Sequence, residues 1–451
     1  MDSHPYVKKI RRSREFAGVM RIFKRNSRTD ITSRTFCILP WVHATTLTDG
    51  RVSLCCVARS PSEVNLNEQT FSDYWNSDYV KDARRRMLAG ERVKVCERCY
   101  QEESQGYKSL RRTETEGWQE QCGQRGIREL IDNTAADGTL NASLQYIDLR
   151  LGNTCNMQCL MCRPQESSRW MQVAQRMSEI SQQSKPETWH FSSPIERDRF
   201  EWYRNEEFWS NLKTLLPHMK EVVLAGGEPF LIKEQFAFVK TCCETGDAGH
   251  IRLRYHTNGT IFTDELIPFW KQFERVHFFI SLDGIGDVAN YVRHPTDWKQ
   301  IQENIARFDG LGANTMTIFH FSTHALNVYR IPELLEWART SDLKNRLRFP
   351  SLQDYVRTSL VHYPDYQNVR VLPTPHKDVV SHRIRRYMET RLAGQRVDKL
   401  TAILDFMNSA DDSSKLPTLV KYTEMLDQAR NTNFSATFPE LAPYWPPYDR
   451  R

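Results

Sequence analysis

No stretch of this chain approaches the roughly 18 consecutive apolar residues of a membrane helix. Its longest apolar runs, such as VHFFISL from Val276, are only strand-length. The N-terminus, MDSHPYVKKIRRSREF, lacks the apolar run of a secretory signal. A soluble cytoplasmic protein without a membrane partner is therefore expected. No repeat of 20–50 residues is evident, which argues against a solenoid or propeller. Charge of one sign is not in large excess: 62 basic residues face 56 acidic ones, for a net charge of +6. The surplus is local, since residues 1–30 carry nine Lys or Arg against three acids. A solvated basic arm is the expectation there, with contact to nucleic acid or a leader peptide as the alternative; nucleic acid is not expected as the main partner. The 11 cysteines are odd in number and clustered. That pattern does not suggest a secreted disulfide framework, and in a reducing compartment it more often binds metal.

What is present is enough for a sizeable core. The chain has 451 residues, 39% hydrophobic and 26% charged, room for two or three domains at roughly 150 residues each. FCILPWVHATTLTDGRVSLCC reads as a β-hairpin turning at Thr48-Asp49-Gly50. A helical stretch, FSDYWNSDYVKDARRRMLAG, follows and ends at Gly90. From Tyr146 the rhythm changes to alternating strands and helices. The expected strands are YIDLRL (146–151), EVVLAG (221–226), RLRYHT (252–257), VHFFISL (276–282) and TIFHFST (317–323), with NVRVL (368–372) as a weaker sixth. KEQFAFVKTCCET, TDELIPFWKQF and DWKQIQENIARFDGL read as the helices between them. Such alternation implies a parallel sheet with crossover helices, as a barrel or an open layer. The segment at about 163–220 is too long for one crossover and reads as an insertion. After Pro373 the chain looks helical, most clearly in PTLVKYTEMLDQARNTNF.

Cys155, Cys159 and Cys162 stand directly after the first of these strands, in IDLRLGNTCNMQCLMCRP. Three buried thiols packing a helix face is one reading. Polar Asn153, Asn156 and Gln158, and the position at a strand's C-terminal end, argue for a site instead. A structural zinc ion takes four closed ligands, and an iron–sulfur cluster usually takes four cysteines. Three thiols without a fourth would leave one metal position open, which is the mark of a catalytic centre.

C-x₃-C-x₂-C after a first strand resembles the radical S-adenosylmethionine (SAM) enzymes. Met161 stands where that family commonly has an aromatic residue. The resemblance continues in order at successive strand ends: Ala225-Gly226-Gly227-Glu228-Pro229, Thr257-Asn258-Gly259, and Ser281-Leu282-Asp283-Gly284 with Arg293 beyond. It covers roughly residues 146 to 330. What it implies is a partial (β/α)6 TIM-type barrel holding a [4Fe-4S] cluster on the three cysteines, with SAM chelating the fourth iron. One electron then cleaves the sulfonium, and the resulting 5′-deoxyadenosyl radical takes a substrate hydrogen. Gly226 and Gly227 would let backbone approach SAM, Glu228 would accept from its ammonium, Ser281 would contact its ribose or carboxylate, Arg293 would pair with the carboxylate, and Asn258 and Asp283 join the implied SAM site. Asp283 also fits ordinary Asp-Gly turn chemistry.

Cys37, Cys55 or Cys56, Cys96 and Cys99 form a second set. Spacing alone favours a zinc ribbon bracing a small domain. CxLPW, DGRVSLCC, FSDYWNSDYVKDARRRMLAG and CERC together resemble the SPASM or twitch auxiliary modules, which implies a second [4Fe-4S] cluster. Those modules usually follow the core; here the segment precedes it, as in bacterial and phage proteins with an N-terminal twitch-type domain. Adjacent strand residues face opposite sides, so one of Cys55 and Cys56 points away. Cys55 is the preferred ligand.

The expected organisation is a basic arm at 1–30, a small α+β auxiliary-cluster domain at 31–120, the core at 140–373 and a helical C-terminal extension at 374–451. Cys242 and Cys243, on a helical segment, read as packing residues, with a hydrogen-atom donor thiol as the alternative. His43, His256, His320 and His324 fall near the expected sites, and none is assigned a role. The implied activity is modification of a peptide or protein side chain, fed by a flavodoxin- or ferredoxin-type donor. A small metabolite such as a sugar or nucleoside is the alternative substrate, and a non-catalytic zinc protein is the rival class.

Overall fold

The computed structural model describes residues 33–104, 106–181 and 197–445. The arm expected at 1–30 lies outside the described residues, as does 182–196 of the expected insertion. The described chain forms two compact units, one of residues 33–45, 52–65 and 69–145, the other of 46–51, 66–68 and 146–445.

β1 (His43–Thr46) and β2 (Val52–Ser53) flank the expected turn, where Gly50 takes a left-handed φ of 84°. The residues before β1 differ from the expected strand. Leu39–Val42 is a short helix started by Pro40, whose fixed φ suits a first turn. The helical stretch from Phe71 is two helices, Phe71–Trp75 and Asp78–Leu88, parted at Asn76-Ser77. Thr70 caps the first in a reciprocal box with Asp73. Cys96 ends a 3-10 turn, Lys94–Cys96, and Cys99 lies in the following helix, Glu97–Ser104. Helix Leu110–Asp132 carries the unit well past residue 120.

The second unit is built on six parallel strands: β3 (Tyr146–Arg150), β5 (Glu221–Ala225), β6 (Arg252–Thr257), β7 (Arg275–Ser281), β9 (Thr315–Thr323) and β10 (Val356–Leu360). They pair in the order β3-β5-β6-β7-β9-β10. A two-residue ladder joins β4 (Gln158–Cys159) to β8 (Arg293–His294), antiparallel, with Cys159 opposite Arg293. The strand expected at 368–372 is absent. Val369–Val371 is a 3-10 turn, capped by the Asn368 side chain on Arg370 N, with Val369 and Val371 buried. The true sixth strand, VRTSL, ends the order and carries an exposed Arg357. An edge strand needs little apolar alternation, so its sequence signal is thin.

Paired residues in a parallel ladder share a face. The outer face of β6 and β7 packs an aromatic layer: Tyr255 stacks on Phe278 at 5.5 Å, and Phe278 meets Trp270 at 4.9 Å and Phe308 at 4.7 Å. Trp270 sits on the four-residue helix Ile267–Trp270, shorter than TDELIPFWKQF suggests, and Phe308 on Trp298–Asp309. This layer fixes the strand ends at which the candidate site is assembled. Phe278→Ala removes a fully buried ring from it and is expected to cost about 3–5 kcal/mol, read as a lowered denaturant midpoint of the metal-free protein.

Candidate active site

The loop from Leu151 to Cys162 is held at most of its carbonyls. Thr154 O accepts from Glu228 N at 2.8 Å, and Met157 O accepts from Ser167 Oγ at 2.6 Å. Gln158 O accepts from the Arg430 guanidinium, and Cys159 O from Trp170 Nε1 at 2.8 Å. Leu160 O accepts twice, from Gln367 Nε2 at 3.1 Å and Tyr422 Oη at 2.8 Å. Arg430 also lies over the Trp170 ring at 4.9 Å. Two of these clamps, Tyr422 and Arg430, come from helix Leu416–Arg430 of the C-terminal extension. Their distance in sequence from the motif gave no signal of this role.

The three thiols gather on that loop. Cys162 hydrogen-bonds to Cys159, and Arg293 Nη1 lies 3.5 Å from Cys159 Sγ. The thiol donor and then the guanidinium draw the Cys159 sulfur toward thiolate. Burial pushes Cys155 up to about 12, with the Cys159 charge adding to the shift, so it stays a thiol until a metal takes the proton's place. No group of three or more His, Cys, Asp or Glu among the described residues could hold a single metal ion. A cubane asks for a different arrangement, one thiolate at each of three irons. The donor set of three soft sulfurs beside a cation fits a cluster that carries negative charge.

The other expected residues are all brought to this end of the sheet, with contacts the sequence did not disclose. Gly226 takes a φ of +117°, and a Cβ there would lie 2.8 Å from Leu151 N. A Cβ on Gly227 would lie 2.1 Å from Thr154 O. The close approach these glycines permit is thus to the backbone of the cysteine loop. Glu228 is fully buried and accepts from Thr257 Oγ1 and Asn258 N, each at 2.8 Å, and from Phe230 N at 3.2 Å. Burial pushes its carboxyl up to about 7 against these donors. Asn258 Nδ2 donates to Asn156 Oδ1 at 2.8 Å, and Asn156 Nδ2 to Thr260 Oγ1 at 2.8 Å. Thr-Asn-Gly-Thr therefore buttons the middle of the cysteine loop to β6. Asp283 is fully buried, accepts from Ser322 N at 2.6 Å, and meets Arg293 Nε at 2.6 Å as a contact of charges rather than an aligned hydrogen bond. Arg293 is thus shared between the Asp283 carboxylate and the Cys159 sulfur. Ser281 stands half-buried at the end of β7.

In the first unit, Cys37 and Cys96 lie within electrostatic reach of each other and of both Cys55 and Cys99, and Arg111 stands near Cys37 and Cys96. Cys56 is exposed. Burial raises the thiols of Cys37 and Cys55 well above the usual range, and Cys96 to about 12. Cys99 receives a hydrogen bond from the Arg111 backbone. On helix Lys233–Glu244, Cys242 is buried and Cys243 is half-buried with its Sγ 3.6 Å from Phe269 O.

Two family models match the chain. Residues 149–338 match the radical SAM superfamily, and residues 37–100 match SPASM, an iron-sulfur cluster-binding domain. The chain carries a radical SAM core behind a SPASM domain. A [4Fe-4S] cluster and SAM are the cofactors of that core, and a further iron–sulfur cluster is that of the SPASM domain. No curated protein matches the chain. Among solved structures, anSMEcpe with bound AdoMet is 15% identical at a TM-score of 0.37, covering 56% of this chain and 62% of that one. Streptococcus suis SuiB bound to S-adenosylmethionine is 11% identical at 0.34, covering 59% and 50%. The same SuiB bound to precursor peptide SuiA is 11% identical at 0.33, covering 71% and 65%. This chain thus spans less than two thirds of each.

The double clamp on Leu160 yields a prediction. Tyr422→Phe or Gln367→Leu alone leaves the carbonyl one donor and is expected to cost about 1 kcal/mol. The pair leaves a buried carbonyl with none, costing about 1–3 kcal/mol more. Denaturation of the four proteins in a double-mutant cycle measures the coupling.

Proposed function

We propose that this protein is a radical SAM enzyme that modifies a peptide or protein side chain, with electrons delivered by a flavodoxin- or ferredoxin-type donor. Bound together, the cluster and SAM supply an electron to the sulfonium and a 5′-deoxyadenosyl radical able to take a substrate hydrogen atom. The observation that carries the reading is the three-thiol loop at the C-terminal end of β3, where α/β barrels place their chemistry. Cys155, Cys159 and Cys162 would hold three irons. Arg293 would offset the negative charge of the cluster at Cys159, and Asp283 holds that guanidinium in place. Glu228 fixes the Gly-Gly-Glu-Pro turn to the end of β6, so the surface offered to SAM is rigid before it binds. Ser281 and the Glu228 carboxylate are the polar groups proposed to meet SAM itself.

The SPASM match supports a peptide or protein substrate over a small metabolite. Cys37, Cys55, Cys96 and Cys99 are the proposed ligands of the second cluster, with Cys56 turned to solvent.

Anaerobically purified protein is expected to be brown and to form 5′-deoxyadenosine from SAM with dithionite. Colourless protein holding only zinc would sink the reading. Cys159→Ala is expected to abolish SAM cleavage. Cys96→Ala should spare cleavage more than peptide modification, and equal loss of both would remove the separation of the two sites.

A further inference from the structure

Arg84, on helix Asp78–Leu88 of the first unit, is fully buried, and no carboxylate pairs with it among the described residues. Its Nε donates to Pro40 O at 2.7 Å, and its Nη1 donates to Asn76 Oδ1 at 2.8 Å and Gly138 O at 3.2 Å. All three acceptors are neutral. Its Nη2 has no hydrogen-bond partner among the described residues. The guanidinium also lies over the Trp75 ring at 4.6 Å. Neutral acceptors and a ring face offset only part of the cost of burying a cation. Burial draws its pKa down to about 10, so the group is still charged at neutral pH, and a buried charge without a counter-charge is strongly unfavourable.

Tyr74 stands beside it, on helix Phe71–Trp75. Its side chain is fully buried, and its hydroxyl too has no hydrogen-bond partner among the described residues. The neighbouring Tyr79, with ring centroids 6.5 Å apart, differs: its hydroxyl donates to Ser60 O at 2.6 Å. A phenyl ring would serve packing at position 74, and a buried hydroxyl without a partner is costly. Besides Arg84, the charged and titratable groups that Tyr74 feels include Cys55 and Cys96, two of the proposed cluster ligands, which come from separate segments. Burial keeps the phenol protonated, so it is a donor toward them. An unsatisfied hydroxyl and an uncompensated guanidinium thus border one group of thiols.

We infer that Tyr74 donates its hydroxyl hydrogen bond to a sulfur of the second cluster, with Arg84 behind it as the counter-charge, and that the two together hold that cluster's reduction potential up. The inference rests on the ligand set proposed above. One-electron reduction by the external donor adds a negative charge to the cluster, while the phenol and guanidinium protons stay where they are. Hydrogen bonds to the sulfurs and a nearby cation favour that more negative form. Both are positioning residues and neither is assigned a contact with substrate.

The test is a redox titration followed by electron paramagnetic resonance. It uses anaerobic full-length protein in which Cys155→Ala, Cys159→Ala and Cys162→Ala leave the second cluster alone. Tyr74→Phe is expected to shift the reduction equilibrium about tenfold toward the oxidised form, a midpoint more negative by about 59 mV for a one-electron couple. Arg84→Gln should shift it the same way, Arg84→Lys less, and Tyr79→Phe not at all. Where Arg84→Gln fails to load a cluster, Tyr74→Phe, which removes a single oxygen, decides alone. A midpoint indifferent to Tyr74→Phe, as a water bound to the hydroxyl would give, or one moved as far by Tyr79→Phe, overturns the inference and leaves the enzyme reading intact. Zinc in place of iron at this site overturns the inference together with the ligand set. The expected shift in a protein that cleaves no SAM with all its cysteines in place would leave the inference standing and remove the enzyme reading instead.

Discussion

Three sulfurs cannot close a cubane, and that shortfall governs the rest of the molecule. A fully ligated cluster helps to organise its own loop, since four bonds from one chain define its path. With a corner left to a cofactor, the loop must be shaped by the protein alone. The carbonyl accounting shows how. Leu160, Cys159, Gln158, Met157 and Thr154 each give up a carbonyl to a donor from elsewhere, including helix Leu416–Arg430 far along the chain. Buried peptide groups left unpaired are costly, so each bond is also a constraint on where the thiols point.

Charge is handled in the same spirit. Glu228 and Asp283 are buried carboxylates that the protein spends on itself, one joining two strand ends, the other seating Arg293. A buried pair such as Asp283–Arg293 is weak evidence for stability, because desolvation offsets its attraction. Its value here is placement: the guanidinium is held against the Cys159 sulfur, where a negative cluster would need it.

Much of this was legible. Five of six strands and the parallel α/β sheet follow from periodicity, while the partial barrel and the motifs at successive strand ends come from the resemblance to the radical SAM enzymes. The misses have local causes. VRTSL is an edge strand with little apolar pattern, while Val369 and Val371, buried in a turn capped by Asn368, look like a strand in sequence. Pro40 starts a helical turn where the apolar pattern suggested a strand. Beside the cofactor contacts implied for them, Gly227 lies close to the backbone of the cysteine loop and Glu228 accepts from the end of β6, contacts that no motif discloses. Tyr422 and Arg430 were invisible, since nothing in a helix more than 250 residues away marks it as the clamp of a loop. His256 and His320 stood in plain view within strands, and only register shows that they share a face with Arg357.

The central claim is an iron without a protein ligand, taken by the amino-acid end of SAM. Electron–nuclear double resonance on the reduced, cluster-loaded protein tests it directly, using SAM labelled with ¹⁷O in the carboxylate and ¹⁵N in the amino group. Resolved hyperfine coupling from both labels to one [4Fe-4S] cluster is the predicted result, retained when Cys96 is replaced and absent when Cys159 is. A cluster that shows no coupling to either label, because a protein side chain fills its last corner, would contradict the account.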